Sequence, residues 1–91
     1  MVTAIVLINA QREKINSIGE QISGFGGVTE VFSVSGRFDL VVLIRLKELN
    51  GLSQLMTEKI SNIEGIIRTE SMVTFKLISK HDIAAMFDLG S

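Results

Sequence analysis

Two apolar runs, residues 2–8 and 40–46, broken only by Thr3 and Arg45, lie 38 positions apart in the chain. Both are rich in Val, Ile and Leu. Each is long enough for a strand buried on both faces and too short to cross a membrane. The same offset lays Ile22-Ser23-Gly24-Phe25-Gly26-Gly27-Val28 on Ile60-Ser61-Asn62-Ile63-Glu64-Gly65-Ile66. Ile, Ser and Gly coincide there, and the apolar pattern agrees at Phe25 with Ile63 and Val28 with Ile66. The chain therefore reads as one unit repeated.

Each half predicts a strand, a helix and a strand. After the first run, residues 11–23 carry Ile15, Ile18 and Ile22, followed by Phe25, at steps that make one helical stripe. Gly24, Gly26 and Gly27 stop this helix, since glycine tolerates positive φ past a helix end. Residues 28–34 form the second strand. In the second half, residues 40–46 form the third strand, and Asn50 is the expected cap of a helix running to about Asn62 or Ile63. Its stripe is Leu52, Leu55, Met56, Ile60 and Ile63, and Gly65 ends it. Residues 66–78 predict a long alternating strand. One face carries Ile67, Thr69, Ser71, Val73, Phe75 and Leu77; the other carries Ile66, Arg68, Glu70, Met72, Thr74, Lys76 and Ile78.

The order βαββαβ, with right-handed crossovers, gives an α+β ferredoxin-like sandwich: a four-stranded antiparallel sheet with two helices on one face. The opposite face of a monomer should then be polar. Strands one and three contradict that, because they are apolar on both faces. The uncovered wall is a partner surface of the dimeric α/β-barrel type, with two sheets packed face to face about a two-fold axis. Burying about 600 Å² of apolar area per subunit would favour association by about 15 kcal/mol before entropy costs.

Composition narrows the function classes. The chain has 91 residues, enough for one domain. Residues 1–79 are assigned to that domain and 80–91 to a C-terminal extension, a short helix in which Asp82 is the cap, Gly90 the stop and Ile83, Met86 and Phe87 the apolar side. The extension is either a lid over the sheet or an arm to a neighbouring subunit. Nine Lys and Arg against ten Asp and Glu leave a net charge of −1 and no basic stripe, which argues against direct nucleic-acid binding. With no cysteine and a single histidine, His81, thiol chemistry and a multi-histidine metal site are excluded within one chain. The N-terminus lacks a basic leader and no stretch is long enough to span a membrane, so the expected location is the cytoplasm.

No catalytic constellation appears. There is no nucleophile elbow and no phosphate-binding glycine motif. His81 reads as a surface residue rather than a general base, and Glu13, Glu20, Glu58 and Glu64 read as solvated helix charges. The segment joining strands two and three, Ser35-Gly36-Arg37-Phe38-Asp39, carries two readings. A tight hairpin explains Gly36, yet it explains the aromatic Phe38 poorly and leaves Arg37 and Asp39 without a reason. A cradle for a small anion or an amino acid explains more. Backbone N–H groups around Gly36, Arg37 and Phe38 hold a carboxylate, and Asp39 accepts from an ammonium group.

The sequence resembles the effector-binding RAM domain of the Lrp/AsnC (feast/famine) regulators. The likeness runs from about Val2 to Leu77. It rests on the Val-Leu-Ile opening strand, Gly27-Val28-Thr29-Glu30-Val31, Gly36-Arg37-Phe38-Asp39 followed by Leu40-Val41-Val42, the Ile60 to Ile66 segment, and Arg68, Thr69 and Ser71. It implies dimers that pair through their sheets and assemble into octamers or decamers. It also implies effector sites between dimers near the Gly36 turn, with Thr69 and Ser71 matching hydroxyl-bearing positions of the family. The family's helix-turn-helix half has no counterpart here, which suggests a stand-alone module, and Phe38 stands where tyrosine is frequent.

The expected function is a non-enzymatic module that senses an amino acid or related small metabolite between subunits. It would modulate the assembly of transcription regulators, including co-assembly with full-length Lrp/AsnC proteins. Its site residues are Gly36, Arg37, Phe38, Asp39, Thr69 and Ser71, with no cofactor and no metal. The alternatives are a purely structural oligomerisation protein and, less favoured by a chain with no tyrosine or tryptophan, a small dimeric α/β-barrel monooxygenase.

Overall fold

Burial alternates strictly along the first apolar run, and that alternation sets the layers. The computed structural model describes residues 1–78; the expected short helix at 80–91 and His81 lie outside them. In β1 (Val2–Ala10), Ala4, Val6, Ile8 and Ala10 are buried, while Ile5 and Leu7 on the other face are half-buried. β3 (Leu40–Leu46) behaves alike: Leu40, Val42 and Ile44 are buried, and Val41 and Leu43 half-buried. The strands pair antiparallel with Val6 opposite Val42 and Ile8 opposite Leu40. β2 (Val28–Ser33) and β4 (Ile66–Val73) flank them, giving the antiparallel order β2-β3-β1-β4. This is the expected α+β ferredoxin-like βαββαβ sandwich, with both helices on one face.

A 3-10 turn at Arg12–Lys14 leads into α1 (Ile15–Ser23), whose Ile18 and Ile22 seal against the sheet. Ile8, Ile18, Ile22, Ile44, Ile60, Val6 and Val42 form the fully buried centre. Of the three glycines expected to stop α1, only Gly27 has positive φ (92°), and a Cβ there would strike Leu46. Gly65, its repeat equivalent, has φ 102° and meets Lys14 and Ile18 in the same way. The repeat is thus structural as well as textual.

The second helix departs from expectation. α2 spans Leu49–Gln54, continues as a π-helical turn over Leu55–Lys59 and closes as a 3-10 turn over Ile60–Asn62. Asn50 is not the cap; it lies inside α2, and the extended Glu48 precedes the first turn with no side-chain cap. The wide turn lets Leu55 and Ile60, five residues apart, both be buried. Polar side chains hold it open: Ser61 Oγ donates to Met56 O (2.6 Å) and Asn62 Nδ2 to Glu58 O (2.7 Å).

β4 is shorter than the expected 66–78 and ends at Val73, although the Thr74 N–H still reaches Thr3 O at 2.9 Å. A bulge sits near its start, where Asn9 faces Arg68 but Ala10 faces Ile66. The extra residue, Ile67, is 68% exposed. Directly opposed residues share a sheet face. Ile66 therefore joins Thr69, Ser71 and Val73 on the helix side, and the expected grouping of Ile66 with Arg68, Glu70 and Met72 is corrected. Among the described residues, no helix is long and apolar enough to cross a membrane.

Candidate functional site

The face that the helices leave uncovered carries Ile5 and Leu7 from β1 and Val41 and Leu43 from β3. Phe32, opposite Val41, and Met72, opposite Ile5, extend the patch and are 44% and 47% exposed. Charge is confined to its margins. Glu30 lies on β2, Arg68 and Glu70 on β4, and Arg45 opposite Thr3 toward the end of β3. The centre of the wall is therefore apolar, as the doubly apolar runs require, and the charged ring surrounds it.

The turn from Gly36 to Asp39 stands at one end of this wall. Gly36 has φ 117° with open space where a Cβ would point, so the backbone there can be approached closely. Gly36 and Arg37 are exposed; Phe38 and Asp39 are half-buried. Asp39 is wired into the sheet in three ways. Its N–H donates to Ile8 O (2.8 Å), its carbonyl accepts from the Val34 N–H (3.0 Å), and its Oδ2 accepts from the Ala10 N–H (2.9 Å). Among the described residues, the N–H groups of Gly36, Arg37 and Phe38 donate to no protein acceptor and Asp39 Oδ1 has no partner.

Two neighbours of the turn lie outside the site set expected from sequence. Asn9 Nδ2 donates to Arg37 O (2.8 Å) and approaches Asp39 Oδ2 (3.5 Å). Arg68 lies 5.9 Å from the Phe38 ring centroid and pairs with Glu70 at 2.5 Å. Asn9 follows an apolar run in the sequence, and only its hydrogen bond to Arg37 O reveals why a polar residue stands next to last in that strand. The aromatic at the turn is the visible signal in the sequence, and Arg68 is what covers it.

Thr69 and Ser71 lie elsewhere. They oppose Ile8 and Val6, whose side chains are buried under the helices, so they occupy the helix side of β4. Arg68, beside Phe38, occupies the other side. One chain thus gathers Gly36, Arg37, Phe38 and Asp39 with Asn9 and Arg68, and holds Thr69 and Ser71 apart from them.

The model of the Lrp/AsnC ligand binding domain matches residues 3–83. An uncharacterized HTH-type transcriptional regulator of Pyrococcus furiosus is 31% identical over 81 residues, covering 86% of this chain and 54% of the regulator. The chain spans about half the length of the curated relatives it matches. TTHA0845 from Thermus thermophilus superposes with a TM-score of 0.83 at 39% identity, covering 87% of this chain and 99% of that one. A Neisseria meningitidis transcriptional regulator, NMB0573, solved as its L-Met complex, shares the fold at a TM-score of 0.78. It is 14% identical, with 86% of this chain and 52% of that one covered.

Proposed function

The chain belongs to the Lrp/AsnC ligand binding domain family, and from that premise we propose that it is a non-catalytic effector-sensing and oligomerisation module. Two copies pack their apolar sheet faces together, and dimers join into a ring such as an octamer or decamer. An amino acid or related small metabolite binds between copies. Gly36, Arg37, Phe38 and Asp39 form one wall, with free backbone N–H groups for a carboxylate and Asp39 Oδ1 for an ammonium group. Thr69 and Ser71 supply hydroxyls from a copy in a neighbouring dimer, because in every copy they lie on the helix side of the sheet, away from the paired walls. The output is a change in the assembly of transcription regulators in the cytoplasm, including full-length Lrp/AsnC proteins. The ligand achieves this only by binding one assembly more tightly than another.

The observation that carries this reading is the set of three N–H groups, unengaged among the described residues, beside a latched carboxylate at the end of an apolar wall. The L-Met complex of the Neisseria regulator supports an amino acid as the ligand class. Titration calorimetry across the twenty amino acids tests it. The expected result is saturable heat with at least one of them and a loss of affinity in Phe38→Ser. Absence of heat with all twenty would leave an oligomerisation protein with an empty cleft and overturn the sensor reading.

A further inference from the structure

A concavity lies between α2 with its π-helical turn and the loop that precedes β2. It measures about 240 Å³ and is lined by Gly26, Leu46, Gly51, Leu55, Glu58 and Lys59, among others. None of these residues belongs to the Gly36 turn. The loop feeds the Val28 end of β2, whereas the turn leaves the Ser33 end, so the two lie toward opposite ends of that strand. The volume falls below that of pockets for drug-sized ligands, which restricts an occupant to a small metabolite.

Three features set this cavity apart. Gly51 sits inside α2, where glycine is costly relative to alanine. Its φ is not positive, and an added Cβ would meet Leu46 at 3.7 Å, an ordinary contact. Neither conformation nor crowding demands glycine there, and what its missing side chain provides is open space against Leu46. Gly26 likewise has nothing within 4 Å of a Cβ position. The π-helical turn, a rare element that recurs at functional sites, places Leu55, Glu58 and Lys59 along the wall and is held open by Ser61 and Asn62. Finally, the rim carries one anion and one cation. Among the described residues neither Glu58 nor Lys59 is in an ion pair; Lys59 Nζ rests 5.6 Å from the Phe25 ring centroid.

An apolar floor of Leu46 and Leu55 beneath one carboxylate and one ammonium matches a short molecule that carries both charges on an apolar body. We infer that this cavity is a separate binding site for a small zwitterion of the aliphatic amino-acid class. Lys59 receives the carboxylate, Glu58 the ammonium group, and the space beside Gly51 takes the side chain. The site is independent of the turn at Gly36 and needs no second copy.

Backbone NMR titration with L-alanine, L-valine and L-leucine tests it. The amide signals of Gly26, Gly51, Glu58 and Lys59 should shift saturably with at least one probe, and should still do so in Asp39→Ala. Lys59→Met, which keeps the side-chain stem, should weaken binding by about tenfold or more. Gly51→Leu should abolish it by filling the space. Gly51→Ala, which fits without a clash, should weaken binding while raising the thermal midpoint by roughly 4–8 °C. Unmoved signals at these four residues with all three probes overturn the inference. So does wild-type affinity in both Gly51 variants. Shifts confined to residues 36–39 also overturn it and leave the sensor reading of the turn standing.

Discussion

Asp39 combines two roles that a sequence reader would separate. Its Oδ2 latches the turn to the Ala10 N–H, and its Oδ1 is available to a ligand. Removing the carboxylate strands a partly buried N–H. Asp39→Ala should therefore cost about 1–3 kcal/mol in denaturant unfolding, in addition to weakening amino-acid binding by calorimetry. Asn9→Ala should loosen the same turn through Arg37 O, with a smaller cost of about 1 kcal/mol. An Asn9→Ala protein as stable as wild type would show that the turn holds without that bond. Gly65 presents the opposite case, where the backbone and not the side chain is decisive. Positive φ and the approach of Lys14 and Ile18 make Gly65→Ala unfavourable by about 1–3 kcal/mol, read as a lower thermal midpoint.

At the scale of elements, α1 is fixed by a few isoleucines and by little else. Ile22 is fully buried, so Ile22→Ala should lose about 2–5 kcal/mol, whereas the exposed Glu13→Ala should change stability by less than about 0.5 kcal/mol. Equal effects in chemical unfolding would mean that α1 is not anchored through this stripe. The apolar stripe of the second helix predicts one regular element, and the stripe residues do face the core. The π-helical turn is invisible to that pattern because periodicity reports which side is apolar, not how many residues each turn contains. Ser61 and Asn62, which also appear in the repeat match, bond back to carbonyls and alter the winding. The bulge at Ile67 is hidden for a similar reason. Alternation continues through it in the sequence, yet one residue is left out of the register in the sheet.

For the whole molecule, the decisive quantity is the area of the apolar wall. Ile5, Leu7, Val41 and Leu43 lie on the two central strands, flanked by Phe32 and Met72, and no element of the described chain covers them. Placing Glu at Leu7 and at Leu43 together should convert an associated protein into a folded monomer, visible by sedimentation with far-UV circular dichroism unchanged. The helix side of the sheet does not use these positions, so the fold should survive. A wild-type protein that sediments as a folded monomer at micromolar concentration would remove the basis for a pocket shared between copies.

The sequence by itself determined the layer order, the uncovered wall and the interest of the Gly36 turn. Each depends on local patterning: doubly apolar runs, helical stripes, and an aromatic beside a glycine and an aspartate. Tertiary structure decided which side chains meet across the sheet. It brought Asn9 and Arg68 to the turn, sent Thr69 and Ser71 to the far face, and opened a cavity beside Gly51. The reason is register. The pairing of β1 with β4 joins residues more than fifty positions apart, and one bulge reassigns a face without leaving any mark on the hydropathy pattern.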